Sequence, residues 1–204
     1  MKKVSFALLI LLSSLTLLAQ SEEEVLSSKK VTYGISLGLN HTALTQVRSL
    51  PGVPISEGLG FHLGILGDIK ITNSFSFSPR AEIAFNGASV DITLLDNTVE
   101  KFDILPISIN VMGHFIYRRE KSKTNPYYYV GMAHRFPVMV DSPNTLQLNS
   151  IYALDVGIGL ERLFPYFFAG MDLRFSMGLV NVQSHSNQTA INQSQISLVF
   201  NFRG

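Results

Sequence analysis

The stretch FFAGMDLRFSMGLV (167–180) decides the fold. Every second residue is apolar: Phe167, Ala169, Met171, Leu173, Phe175, Met177 and Leu179. Between them stand Phe168, Gly170, Asp172, Arg174, Ser176, Gly178 and Val180. A period of two belongs to a strand whose faces meet different surroundings. One face is oily throughout. The other holds glycines, a serine and one acid–base pair, too little charge for a face in open water.

Working outward, the same period recurs from Val31 to the C-terminus. The pattern predicts strands over 31–41, 60–71, 74–85, 102–117, 126–136, 152–161, 166–178 and 193–202. Many run close to the 9–11 residues, roughly, that a tilted strand needs to cross a bilayer. Connections alternate as well. Short turns fall near 72–74, 118–125 and 162–165, and longer loops near 42–57, 87–101, 137–150 and 179–192. Short periplasmic turns opposite longer external loops are the pattern of an outer-membrane barrel. Pro79 and Pro106 interrupt two of these strands and suggest bulges, because proline cannot donate to a ladder.

The expected fold is therefore all-β: an eight-stranded antiparallel up-and-down transmembrane barrel over 31–204 with a packed lumen. Closure is required, since lipid cannot satisfy an open sheet edge. At eight strands the interior is just wide enough for side chains to fill, which disfavours a wide diffusion pore. The inward register collects most of the glycines together with Asp68, Lys70, Arg80, Glu82, Arg135, Asp155, Glu161, Asp172 and Arg174. These four bases and five acids nearly cancel, as a paired lumen network requires. A soluble eight-stranded ligand-binding barrel is the rival. It would turn these charges outward, expose the glycines and leave a large apolar lumen to fill.

Composition agrees with a membrane barrel. The chain has 204 residues, one domain's length, and 15% are charged, against about 25% in ordinary soluble domains. A net charge of +1 argues against an electrostatic nucleic-acid binder. Lys2 and Lys3, the apolar run 4–18 and Ala19 read as a secretory signal over 1–19. Residues 20–30 read as a flexible lead-in. There is no cysteine, hence neither a lipid anchor nor a disulfide framework. The expected location is the outer membrane, with its lipid bilayer as the principal partner.

Several motifs compete for attention. GISLG (34–38) matches a nucleophile elbow, but that motif needs a strand-to-helix turn, and Ser36 lies inside an alternating strand. His41, His62, His114, His134 and His185 form no close metal-ligand pair, so no metal and no cofactor is expected. His62 and His114 are expected to point inward. The turn RREKSKTN (118–125) places Arg118, Arg119, Lys121 and Lys123 around Glu120. It reads as a solvated turn and, functionally, as a candidate contact for a periplasmic partner. Aromatics at strand ends, among them Tyr117, Tyr127, Tyr128, Tyr129, Phe136, Phe164, Tyr166 and Phe167, read as interfacial girdles. Loops 47–58 and 180–193 suit an exposed recognition surface.

Taken in order, GFHLGILGDIKITNSFSFSPRAEIAF (60–85), FDILPISINVMGHF (102–115), YYYVGMAHRF (127–136), YALDVGIGLE (152–161) and FFAGMDLRFSMGLVNV (167–182) resemble the PorT-like outer-membrane barrels of Bacteroidota. The resemblance covers almost the whole chain after the signal. It implies a non-enzymatic accessory role in assembling the type IX protein secretion system, with secretion-system proteins as partners and no catalytic residues. The alternative is a structural or adhesive barrel binding surface ligands through its loops. A lipid-modifying hydrolase comes third.

Overall fold

The computed structural model describes residues 29–46, 55–93, 99–103, 105–119, 124–138, 150–179 and 191–204. The expected signal, 1–19, lies outside them, as do Lys121, Lys123 and His185. Among these described residues eleven strands follow one another: β1 (Val31–Gln46), β2 (Ile55–Ser56), β3 (Gly58–Lys70), β4 (Phe75–Phe85), β5 (Ser89–Thr93), β6 (Val99–Asp103), β7 (Ile107–Arg118), β8 (Thr124–Pro137), β9 (Ile151–Leu163), β10 (Phe168–Gly178) and β11 (Ile191–Arg203). Eight of them close into an antiparallel barrel in the order β1-β11-β10-β9-β8-β7-β4-β3. The first and last strands pair along their length, from Gly34↔Arg203 to Gln46↔Ile191. Among the described residues the barrel has no open edge.

The two faces are sorted as the opening stretch requires. Along β10, Leu173 is 52% exposed and the next residue, Arg174, is 2% exposed. Leu37, Leu63, Ile65, Val111, Phe115, Val130, Met132, Ile158, Leu160 and Leu198 join Leu173 on the outer surface. A contiguous apolar surface of this extent is foreign to soluble monomers. Rings band it at both ends. Phe75 and Tyr117 (5.1 Å) and Phe164 and Phe167 (5.0 Å) pack near the short turns. Near the long loops, Phe61 stacks on Phe85 (4.6 Å) and His134 on Tyr152 (4.2 Å).

Three details differ from the sequence expectation. The strand expected over 102–117 is broken. Leu105 adopts a left-handed φ of 51°, a conformation that costs a non-glycine residue of order 1–3 kcal/mol. Phe102 and Asp103 belong instead to β6, which joins β5 and β2 in a separate three-stranded sheet at the long-loop end. Pro79, by contrast, makes no bulge. The β3–β4 register is the same on either side of it, Leu66↔Arg80 and Ile69↔Phe77. The Ser78 hydroxyl donates to the Gly67 carbonyl at 2.7 Å, which satisfies the acceptor facing that gap.

Inward-facing glycines stand opposite the largest inward side chains. Gly38 pairs with His62, Gly64 with Glu82, Gly131 with His114, Gly157 with Tyr129 and Gly159 with Tyr127. At each of these five glycines a Cβ would overlap the facing side chain. Small-opposite-large pairing is how a narrow tapering lumen is filled without strain.

Candidate functional site

The inward register converges on the lumen, and its charges meet there. At the short-turn end, Arg118 reaches Asp68 (2.5 Å) and Glu161 (3.4 Å), while Arg203 reaches Glu161 (2.7 Å) and Asp68 (3.6 Å). These four residues come from β7, β3, β9 and β11, every second strand around the barrel. They form one closed ring in which each base touches both acids. Ser76 adds a hydroxyl to Arg118 and to Asp68, and Thr32 accepts from Arg203 at 2.9 Å.

Above that ring, Asp172 accepts from Tyr127 (2.7 Å), Tyr129 (2.6 Å) and Asn201 (2.6 Å). Arg80 binds Asn201 at 3.4 Å and lies over the Tyr129 ring at 5.6 Å. Arg174 grips Glu82 with both terminal nitrogens, at 3.1 and 2.8 Å. His114 Nε2 meets Asp155 Oδ2 at 2.9 Å, and Ser176 donates to the other Asp155 oxygen. Arg135 donates to Ser176 at 2.5 Å and to Gln193 at 3.2 Å. Toward the long loops Asn86 Oδ1 gathers Asn40, Thr42 and Gln195, and the Asn86 amide holds the Leu105 carbonyl at 3.0 Å.

Of the nine lumen charges read from sequence, eight are buried, and Lys70 is half-buried at the end of β3. Arg118 differs from expectation. It is no turn residue but the last residue of β7, 7% exposed and spent on Asp68 and Glu161. Arg119 stays exposed at the turn. Tyr127 and Tyr129, expected in a girdle, point inward, because a period of two allows only Tyr128 of the three to face out. Arg203, Tyr127 and Tyr129 were missed as lumen groups. The signal that finds them is parity with Asp172 and Arg174, carried across the ladder. The buried set is balanced: Arg80, Arg118, Arg135, Arg174 and Arg203 against Asp68, Glu82, Asp155, Glu161 and Asp172.

The chemistry open to this lumen is limited. Ser176 donates to Asp155 rather than to His114, and His114 Nδ1 has no hydrogen-bond partner. The base–nucleophile contact of a hydrolase triad is therefore not made by this set. Ser36 of GISLG is fully buried in β1, 3.5 Å from Glu82. Among the described residues no cluster of side chains could hold a metal ion.

A closed barrel with a paired polar lumen and an apolar exterior is a fold for lipid surroundings. The chain superposes on the crystal structure of Neisserial surface protein A with a TM-score of 0.54 and 13% identity, over 85% of this chain and 98% of that one. The fold is that of an outer-membrane β-barrel. The outer-membrane protein OprG of Pseudomonas aeruginosa (TM-score 0.46, 11% identity, 86% of this chain and 95% of that one) scores lower. So does the attachment invasion locus protein Ail of Yersinia pestis (0.42, 14%, 86% and 100%). No protein-family model matches the chain, and no curated protein matches it in sequence.

Proposed function

We propose that this chain is a non-enzymatic outer-membrane barrel that acts as a PorT-like accessory or assembly factor for type IX protein secretion. The observation that carries the reading is the filled lumen. Arg174 and Glu82 join across it, and the Arg118–Asp68–Arg203–Glu161 ring occupies its short-turn end. A barrel plugged by its own side chains works through what its ends present. The ordered likeness of strands 60–85, 102–115, 127–136, 152–161 and 167–182 to PorT-like barrels supplies the choice of secretion.

The test is deletion of the gene in its own host, with proteins of the medium compared with those held in the periplasm. Accumulation of type IX cargo in the periplasm is the expected result; unchanged secretion would remove the secretion role. A second reading, an adhesive barrel, is favoured by one feature. The β2-β5-β6 sheet builds a structured platform at the long-loop end. Removing 89–103 would then abolish attachment to a surface ligand and leave secretion intact.

A further inference from the structure

Charge on the outside of the barrel is sorted along its axis. The exposed bases at the short-turn end are Lys29, Lys30, Arg119 and Arg162, of which Arg119 and Arg162 continue the outward rows of β7 and β9. The exposed acids lie at the other end: Glu57, which meets His41 at 3.3 Å, and Asp103, on β6 with the exposed base Lys101. The carboxylates near the short turns, Asp68 and Glu161, face inward and are held by Arg118 and Arg203. Among the described residues, then, these bases have no exposed Asp or Glu side chain at their end of the barrel.

Register sets their height. Arg119 stands two residues beyond Tyr117, Arg162 two beyond Leu160, and Lys29 two before Val31, all three of them exposed apolar positions. At Arg119 and Arg162 the rows have not yet turned away, whereas Lys29 lies just beyond a bend at Lys30. The Arg119 amide still bonds the Pro126 carbonyl at 3.3 Å, and Arg162 remains paired with Thr124 and Ala169. At about 3.4 Å per residue, each base lies at most about 7 Å past the last apolar side chain of its row. That is the level of the headgroups, beside the aromatic band, and Arg162 lies over the Phe164 ring at 5.4 Å.

We propose that Lys29, Arg119 and Arg162 form a belt that binds the phosphates of anionic phospholipids in the leaflet on the short-turn side. A protein docking end-on would meet the turns, whereas Arg119 and Arg162 face sideways, along the rows that meet lipid. The three bases also sit on or beside β1, β7 and β9, spread around the circumference rather than gathered in one patch. A ring of lipids fits that distribution. The proposal depends on membrane insertion and not on the secretion role.

The test uses the purified full chain in phosphatidylcholine bilayers containing traces of spin-labelled phosphatidylglycerol or spin-labelled phosphatidylcholine. Electron spin resonance then reads the relative association of each lipid with the barrel. At low salt phosphatidylglycerol should be favoured about fivefold, the preference expected of one base near an anionic surface. The combined Lys29→Ser, Arg119→Ser and Arg162→Ser variant should fall toward equal association, with single substitutions intermediate. Lys101→Ser, on the far sheet, should change nothing. Equal association by the wild type overturns the belt and leaves these bases to an acidic protein partner. A preference that survives in the triple variant, or one that persists unscreened in about 1 M salt, also overturns it.

Discussion

Arg174 on β10 and Glu82 on β4, 92 residues apart in sequence, form a two-pronged ion pair across the lumen, at 3.1 and 2.8 Å. Their strands lie diametrically opposite in the barrel order. Side chains can span the diameter only of a narrow barrel, so this one pair fixes both the size of the lumen and its closure.

Removing both partners should cost less than the two single losses added together. Arg174→Leu leaves the Glu82 carboxylate buried without its strongest partner, which costs about 3–5 kcal/mol. The same range is expected for Glu82→Leu. The double variant should lose less than the sum by about 0.5–3 kcal/mol. The chain has no tryptophan, so urea unfolding followed by circular dichroism is the measurement.

Glycine positions should split by what they face. A Cβ on Gly157 would overlap the Tyr129 ring, whereas one on Gly170 finds its nearest neighbour, the Tyr127 hydroxyl, at an ordinary 3.4 Å. Gly157→Ala should therefore destabilise by about 1–3 kcal/mol through overpacking. Gly170→Ala should stay within about 0.5 kcal/mol of wild type. Equal effects in the same urea titration would contradict the small-opposite-large packing.

Adjacent arginines should behave differently. Arg118→Ala breaks two contacts of the four-membered ring and orphans buried carboxylates, at about 3–5 kcal/mol. Arg119→Ala, on an exposed side chain, should change the unfolding free energy by less than about 0.5 kcal/mol. Comparable losses for the two would place Arg118 back in the turn.

Much of this was legible in the sequence because parity is a local signal. The run around Asp172 and Arg174 declares its two faces by itself, and the same reading sorts β3, β4 and β9. What escaped depends on distant partners. Arg118 sits in a visibly basic turn sequence, and its burial is dictated by Asp68, 50 residues away. Tyr127 and Tyr129 flank an outward Tyr128, and three consecutive tyrosines at a strand end look like a girdle until parity is imposed. The break at Leu105 was hidden as well. A leucine gives no sign of a left-handed φ, and the segment before it alternates well enough to pass as the start of β7. No residue pattern announces the β2-β5-β6 sheet, because two of its strands have five residues and the third has two.

A charge on the outer face should be costly where a lumen charge is not. Leu173→Arg, mid-strand on β10 and facing outward, should lose about 2–4 kcal/mol of insertion stability in lipid vesicles. Refolding yields into bilayers, compared with those of wild type, would show it.

The central claim is that β10 shows one face to lipid and the other to a packed interior. With no cysteine in the chain, single substitutions Met171→Cys, Leu173→Cys, Phe175→Cys and Ser176→Cys can each carry a nitroxide label in vesicles. Labels at 171, 173 and 175 should collide with oxygen dissolved in the bilayer and be shielded from a water-soluble nickel chelate. A label at 176 should be immobilised and reached by neither. Labels at 171, 173 and 175 that meet the aqueous reagent would contradict the membrane barrel outright.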